Sequence, residues 1–147
     1  FFSMSYEFKE FVNSTGIEMP FEFVELDPLY AVNFANSDKV YLIYKNLEKL
    51  AKEFEAIEPD FEAKMTRYLA GAGKLFHDTE NIIIKKNFNN LAHFFLNMAR
   101  VPWGHAPKML RSMWSEMERH FESHEVKVIF SLVAFFLGAT PFDTPAV

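Results

Sequence analysis

The spacing of the apolar residues changes just after Tyr44 and does not change back. In the runs between Phe21 and Tyr44 apolar and polar positions alternate, and after Tyr44 apolar residues recur at helical spacing to the end. Alternation is the signature of a half-buried strand, and a period near 3.6 that of an amphipathic helix. The chain therefore reads as α+β, with a small sheet in its first third and helices in the remainder.

Three runs make up the strand-like part: Phe21 to Leu26, then Tyr30, Val32 and Phe34, then Val40, Leu42 and Tyr44. Asp27-Pro28 and Asn36-Ser37-Asp38 separate them as turn signals. The expectation is an antiparallel meander of about three strands, covered on both faces because both carry apolar residues. A short helix over residues 3–14 precedes it, with Met4, Phe8, Phe11 and Val12 on one face.

About five helices follow. Asn46 caps the first, which carries Leu47, Leu50, Ala51, Phe54 and Ile57, and Glu58-Pro59 divides it from the next. Phe61, Met65, Tyr68, Leu69, Ala72 and Phe76 form the second stripe, where Gly71 and Gly73 mark either a tolerated kink or a close approach. Asn87 is the candidate cap for Leu91, Phe94, Phe95 and Met98. Pro102-Trp103-Gly104 ends that helix, and Pro107 opens one with Met109, Leu110, Met113, Met117 and Phe121 inward. Ser123 caps the last, which is apolar nearly all round from Val126 to Leu137 and so must be buried or face lipid. No repeat or low-complexity linker interrupts the chain, and 1–147 reads as a single domain.

Several classes are disfavoured at once. A net charge of −5 with scattered basic residues leaves no footprint for nucleic acid and no polybasic membrane tether. Without cysteine there are no disulfides or thiolate metal sites. The opening "FFSMSYEFKEF" lacks the basic start of a signal peptide, and the apolar stretch 126–137 is too short to span a bilayer. A cytoplasmic location fits these features.

Candidate chemistry is sparse. Glu116, His120 and His124 stand at i, i+4 and i+8 and would share a face on one unbroken helix, which makes them a possible metal set; a cap at Ser123 would break that face. His93, between Ala92 and Phe94, reads as partly buried, with Arg100 two turns further on. No Ser-His-Asp or Cys-His arrangement is legible, and Gly71-Ala72-Gly73 lies within a helical pattern instead of after a strand, so it is no phosphate cradle. The strongest signal is aromatic. Phenylalanine occurs 18 times, and Phe88, Phe94, Phe95, Trp103, Trp114, Phe130, Phe135 and Phe136 fall on successive helices among Met98, Met109, Met113 and Met117. Such a layer is either a core or the wall of a tunnel for a long hydrocarbon, and periodicity does not separate the two.

The order of five short motifs adds to this. Leu26-Asp27-Pro28-Leu29-Tyr30-Ala31-Val32-Asn33-Phe34, Phe54-Glu55-Ala56-Ile57-Glu58-Pro59, Lys85-Lys86-Asn87-Phe88, Leu110-Arg111-Ser112-Met113-Trp114 and Phe136-Leu137-Gly138-Ala139-Thr140-Pro141-Phe142-Asp143-Thr144-Pro145-Ala146 follow one another. This succession resembles the middle segment of the bacterial-type phytoene desaturases and related FAD-dependent carotenoid oxidoreductases. The resemblance covers almost the whole chain. It implies a substrate-binding (cap) domain of an amine-oxidase-like flavoprotein, cut from a longer protein whose FAD-binding segments lie on either side. FAD is then expected in the parent protein and not on this chain alone. The implied ligand is a long polyene or isoprenoid, in contact with Phe94, Phe95, Met98, Trp103, Phe130, Phe135 and Phe136. His93 and Arg100 would fall where polar acid/base helpers lie near the flavin. A membrane-peripheral parent protein is implied as well. Apolar surface left by the missing parts would make this chain a homo-oligomer, a dimer being the simplest. The alternative reading is a non-catalytic module that holds a lipid or a partner helix.

Overall fold

The computed structural model describes residues 5–19, 21–80, 82, 85–102, 104 and 110–146. Two compact units emerge, Phe1–Lys45 and Asn46–Val147.

In the first unit, helix α1 (Ser5–Thr15) precedes a two-stranded antiparallel sheet, β1 (Tyr30–Asn33) and β2 (Val40–Ile43). Tyr30 pairs with Ile43 and Val32 with Tyr41, and the Leu29 N–H extends the ladder to the Ile43 carbonyl at 2.8 Å. The turn between the strands is closed by the Ser37 N–H on the Phe34 carbonyl, as its Asn-Ser-Asp sequence predicts.

The expected first strand does not form: residues 22–26 have no ladder partner. Phe21 and Phe23 instead pack against Phe8 of α1, with ring centroids 5.5–5.9 Å apart. Aromatic packing on a helix has displaced strand pairing, although the alternation is that of a strand. The sheet is also not covered on both faces. Tyr41 and Ile43 are buried on one face, while Ala31, Asn33 and Val40 on the other are exposed.

The second unit is helical: α2 (Leu47–Phe54), α3 (Phe61–Thr79), α4 (Leu91–Met98), α5 (Met113–His120), α6 (His124–Ser131) and α7 (Val133–Phe136). Asn46 caps α2 as expected, its side chain accepting the Lys49 N–H at 2.9 Å. Asp60 precedes α3 in the left-handed region, a conformation that a short polar side chain tolerates. Gly71 and Gly73 are absorbed into α3 without a break, and a Cβ on Gly73 would meet nothing within 4 Å, so no close approach requires it.

Three boundaries move. Asn90, not Asn87, caps α4 by accepting the His93 N–H at 2.8 Å. The next helix starts at Met113 behind the Ser112 cap, which leaves Leu110 outside it; Pro107 and Met109 lie outside the described residues. The last apolar run is broken at Leu132 into α6 and α7, and α7 is largely exposed instead of buried.

Phe54, Phe61, Phe121 and Phe130 form the core of this unit, with centroids 5.0–6.2 Å apart. Met65, Met117, Val126 and Ile129 are fully buried alongside. The closing segment lies over the start of α5. The N–H groups of Met113 and Trp114 donate to the carbonyls of Thr144 and Pro141, and the Ala146 N–H donates to the Arg111 carbonyl. Gly138, at φ +71°, ends α7 in the left-handed conformation that suits glycine.

Candidate functional site

The sequence-based candidates divide among three places. His93, Phe94, Phe95 and Met98 lie on α4, with Arg100 just beyond it. Phe94 and Phe95 meet edge to face at 5.5 Å, and Phe94 meets Phe88 likewise at 5.4 Å. Phe94 and Met98 are half-buried and Phe95 is exposed. His93 is exposed as well, contrary to the expected partial burial. His93 and Arg100 are linked through Asn97, whose amide donates to the His93 carbonyl at 2.8 Å and whose Oδ1 accepts from Arg100 at 3.4 Å.

Phe130 belongs to the aromatic core of α2, α3, α5 and α6 already described. Phe135 and Phe136 stand on α7, each 75% exposed, with their rings 6.3 Å apart. Trp103 lies outside the described residues.

The helical unit holds two buried carboxylates; Glu58 escaped the sequence reading, and Glu116 entered it only as part of a metal set. Glu58 is 0% exposed in the turn between α2 and α3. One oxygen is bound to the Lys64 ammonium. The other accepts the backbone N–H groups of Glu122 and Ser123 at 2.8 and 2.7 Å, where α6 begins. Burial alone would push this carboxyl up, but the Lys64 ammonium and the two N–H donors outweigh it and hold the group below its ordinary value. Its hydrogen bond to Glu58 in turn raises Lys64, against the opposing effect of burial.

Glu116 on α5 is the second. Arg111 reaches it at 3.2 Å, Arg119 at 4.0 Å and His120 at 3.5 Å. Tyr68 of α3 packs edge-on against His120 at 5.4 Å. Burial raises the Tyr68 hydroxyl above its ordinary value, and the Glu116 charge adds to the effect. Glu58 belongs to no recognisable spacing motif, and its two N–H donors come from a distant segment, whereas the partners of Glu116 are local and its i, i+4 spacing to His120 was legible. For Glu58 the hint in the sequence was its place before a proline.

The metal reading does not survive. α5 ends at His120, and Ser123 caps a new helix, its hydroxyl accepting the Val126 N–H at 3.4 Å. His124 is thereby turned to the Trp114 ring, 5.8 Å away, and leaves the Glu116–His120 pair. Among the described residues no three His, Cys, Asp or Glu side chains gather for a metal ion. Gly71 and Gly73 are inside α3, while Gly16 and Gly138 follow the ends of α1 and α7. A phosphate cradle needs glycine backbone leading into the start of a helix.

No protein-family model matches the chain, and no solved structure matches it. Curated proteins do. A 4,4'-diapolycopen-4-al dehydrogenase of Metabacillus indicus is 21% identical over 92% of this chain and 27% of its own length. A carotenoid 3,4-desaturase of Haloarcula japonica is 26% identical over 86% of the chain and 25% of its own length. A phytoene desaturase of Phycomyces blakesleeanus is 24% identical over 80% of the chain and 20% of its own length. The similarity extends through both units and gathers on proteins named for one area of chemistry: the chain is similar to a stretch of carotenoid and phytoene desaturases, and it spans only 20 to 27% of the length of these relatives.

Proposed function

We propose that this chain is the substrate-binding part of a larger FAD-dependent oxidoreductase that acts on a long apolar polyene or isoprenoid. The observation that carries the reading is the similarity, over most of the chain, to desaturases and a dehydrogenase several times its length. A polyene hydrocarbon offers almost nothing to hydrogen-bond, so its recognition must come from apolar area at about 25 cal/mol per Å2. Phe94, Phe95 and Met98 of α4 and Phe135 and Phe136 of α7 supply such area, and His93 and Arg100 are the titratable groups nearest to the α4 residues in sequence. Redox chemistry belongs to the flavin, which would be held by sequence outside these 147 residues.

The test is to express the whole protein with phytoene as substrate and follow the absorption of the product. The expected result is FAD-dependent formation of a longer chromophore by the whole protein. The 147-residue chain alone should give neither turnover nor bound-flavin absorption. A flavin retained by the chain alone would overturn the reading, as would adjoining sequence without a strand followed by Gly-x-Gly-x-x-Gly.

A further inference from the structure

No basic residue lies between Lys9 and Lys39, whereas Glu10, Glu18, Glu22, Glu25, Asp27 and Asp38 all do. The run 22–26 sits within this acidic stretch. It keeps the period of a strand although no ladder forms there. Phe21 and Phe23 turn to Phe8 of α1. Glu22, Val24 and Leu26 are exposed, Val24 by 83% and Leu26 by 54%. Alternate side chains thus take opposite sides, as on a pleated strand.

Packing on α1 occupies one face of this run but not its hydrogen-bonding edges, which lie across the direction of the side chains. Among the described residues no backbone hydrogen bond reaches Glu22, Val24 or Leu26. A strand-like run with open edges is a template for another strand, unless a proline, a lysine or a cover shields it. The run holds neither proline nor lysine, and its open side carries two large apolar residues. A second copy is a poor occupant, because it would bring the same acids to the same edge, and like charges across a strand pair are unfavourable. Glu25 already meets Lys45 at 2.8 Å, which leaves Glu22 as the acid of the run to be matched. A strand with a cation opposite Glu22 and apolar residues opposite Val24 and Leu26 satisfies the charge, the apolar area and the backbone together.

We propose that residues 22–26 are a docking edge for one added strand, apolar and basic in alternation, supplied by the longer protein of which this chain is a stretch. The chain spans only 20 to 27% of the length of its relatives, so most of each relative lies outside the matched stretch. The inference rests on that part of the proposed function and on neither the flavin nor the polyene.

Hydrogen exchange of the whole protein against the 147-residue chain tests it, read amide by amide. In the chain alone the amides of 22–26 should exchange near the rate of an unstructured peptide. In the whole protein alternate amides of the run should exchange slower by about a hundredfold or more, because a ladder bond must open first. Glu22→Lys in the whole protein should reduce that protection several-fold, since it sets like charges opposite each other. Asp38→Lys, in the turn between β1 and β2, should leave it as it was. Equal rates in the two forms would overturn the inference. So would protection that is indifferent to the charge at residue 22, or protection in the chain alone that grows with concentration, which would assign the edge to a second copy. A whole protein that binds flavin and forms product while 22–26 stays unprotected defeats this inference alone. A protected run in a protein that binds no flavin defeats the flavin reading alone.

Discussion

Glu58 and Lys64 form a charge pair that the helical unit has enclosed, and such a pair behaves asymmetrically. Its net contribution is small, because desolvation offsets much of the attraction, but removal of one partner leaves the other exposed to the full cost of burial. Glu58→Ala would strand the Lys64 ammonium and two N–H groups at the start of α6. The expected loss is about 3–5 kcal/mol, read as a fall in the urea midpoint at pH 7, with partial recovery in Glu58→Gln. The pH dependence follows from the directions of the two shifts. Glu58 is held below its ordinary 4.5, so its contribution is present above about that pH and is lost as pH falls through the lower folded value. Lys64 is raised above 10.5, so its contribution is complete below that pH and is lost as pH rises through the folded value. Urea midpoints against pH should therefore show a plateau between these limits that narrows the acid and alkaline losses in the Glu58→Gln variant. Tyr68 gives a second residue-level prediction. Burial is the larger cause of its raised hydroxyl and Glu116 the smaller. In Glu116→Gln the ultraviolet phenolate titration, with Tyr68→Phe as reference, should move down yet stay above an ordinary tyrosine.

Caps show at the level of elements what was legible and what was not. Asn46 and Ser123 were readable because a capping side chain acts on the N–H three residues ahead, and the first apolar residues of a helix mark that position. Asn87 was misread because three asparagines fall within four residues, at 87, 89 and 90, and only packing chooses among them. The strand-like run 22–26 was misread because alternation reports a face without naming a partner, and Phe8 competes for it. Glu58 was invisible as a buried group because its N–H donors, Glu122 and Ser123, lie far along the chain; the i, i+4 spacing of Glu116 to His120 was legible, but its burial was not. The aromatic layer was legible as a composition but not as a division: Phe130 went to the core, while Phe135 and Phe136 stayed outside. The caps differ in consequence as well. Ser123→Ala breaks the start of a helix with buried residues and should lower global stability by about 1 kcal/mol. Asn90→Ala starts a helix with none, so hydrogen exchange at residues 93–97 should speed up while the global urea midpoint holds.

At the scale of the whole chain, the fully buried side chains are concentrated in residues 46–147. Residues 46–147 expressed alone should therefore unfold cooperatively, and Phe130→Ala there should cost about 3 kcal/mol, the usual penalty for emptying an aromatic site. The same unit carries a run that an isolated chain would not be expected to leave in water: Val133, Phe135, Phe136, Leu137 and Phe142 are exposed around the end of α7. No helix of the described residues is long and apolar enough to cross a membrane, so this surface is not explained as part of a span. Contiguous apolar surface of this kind favours association. The expectation is a concentration-dependent dimer in light scattering, shifted towards monomer by Phe135→Ser with Phe136→Ser and left unchanged by Phe95→Ser with Leu96→Ser. That pairing separates α7 from α4 as contact surfaces. A monomer at every concentration would show that α7 tolerates water, and the apolar character of 133–137 would then need an explanation other than self-association.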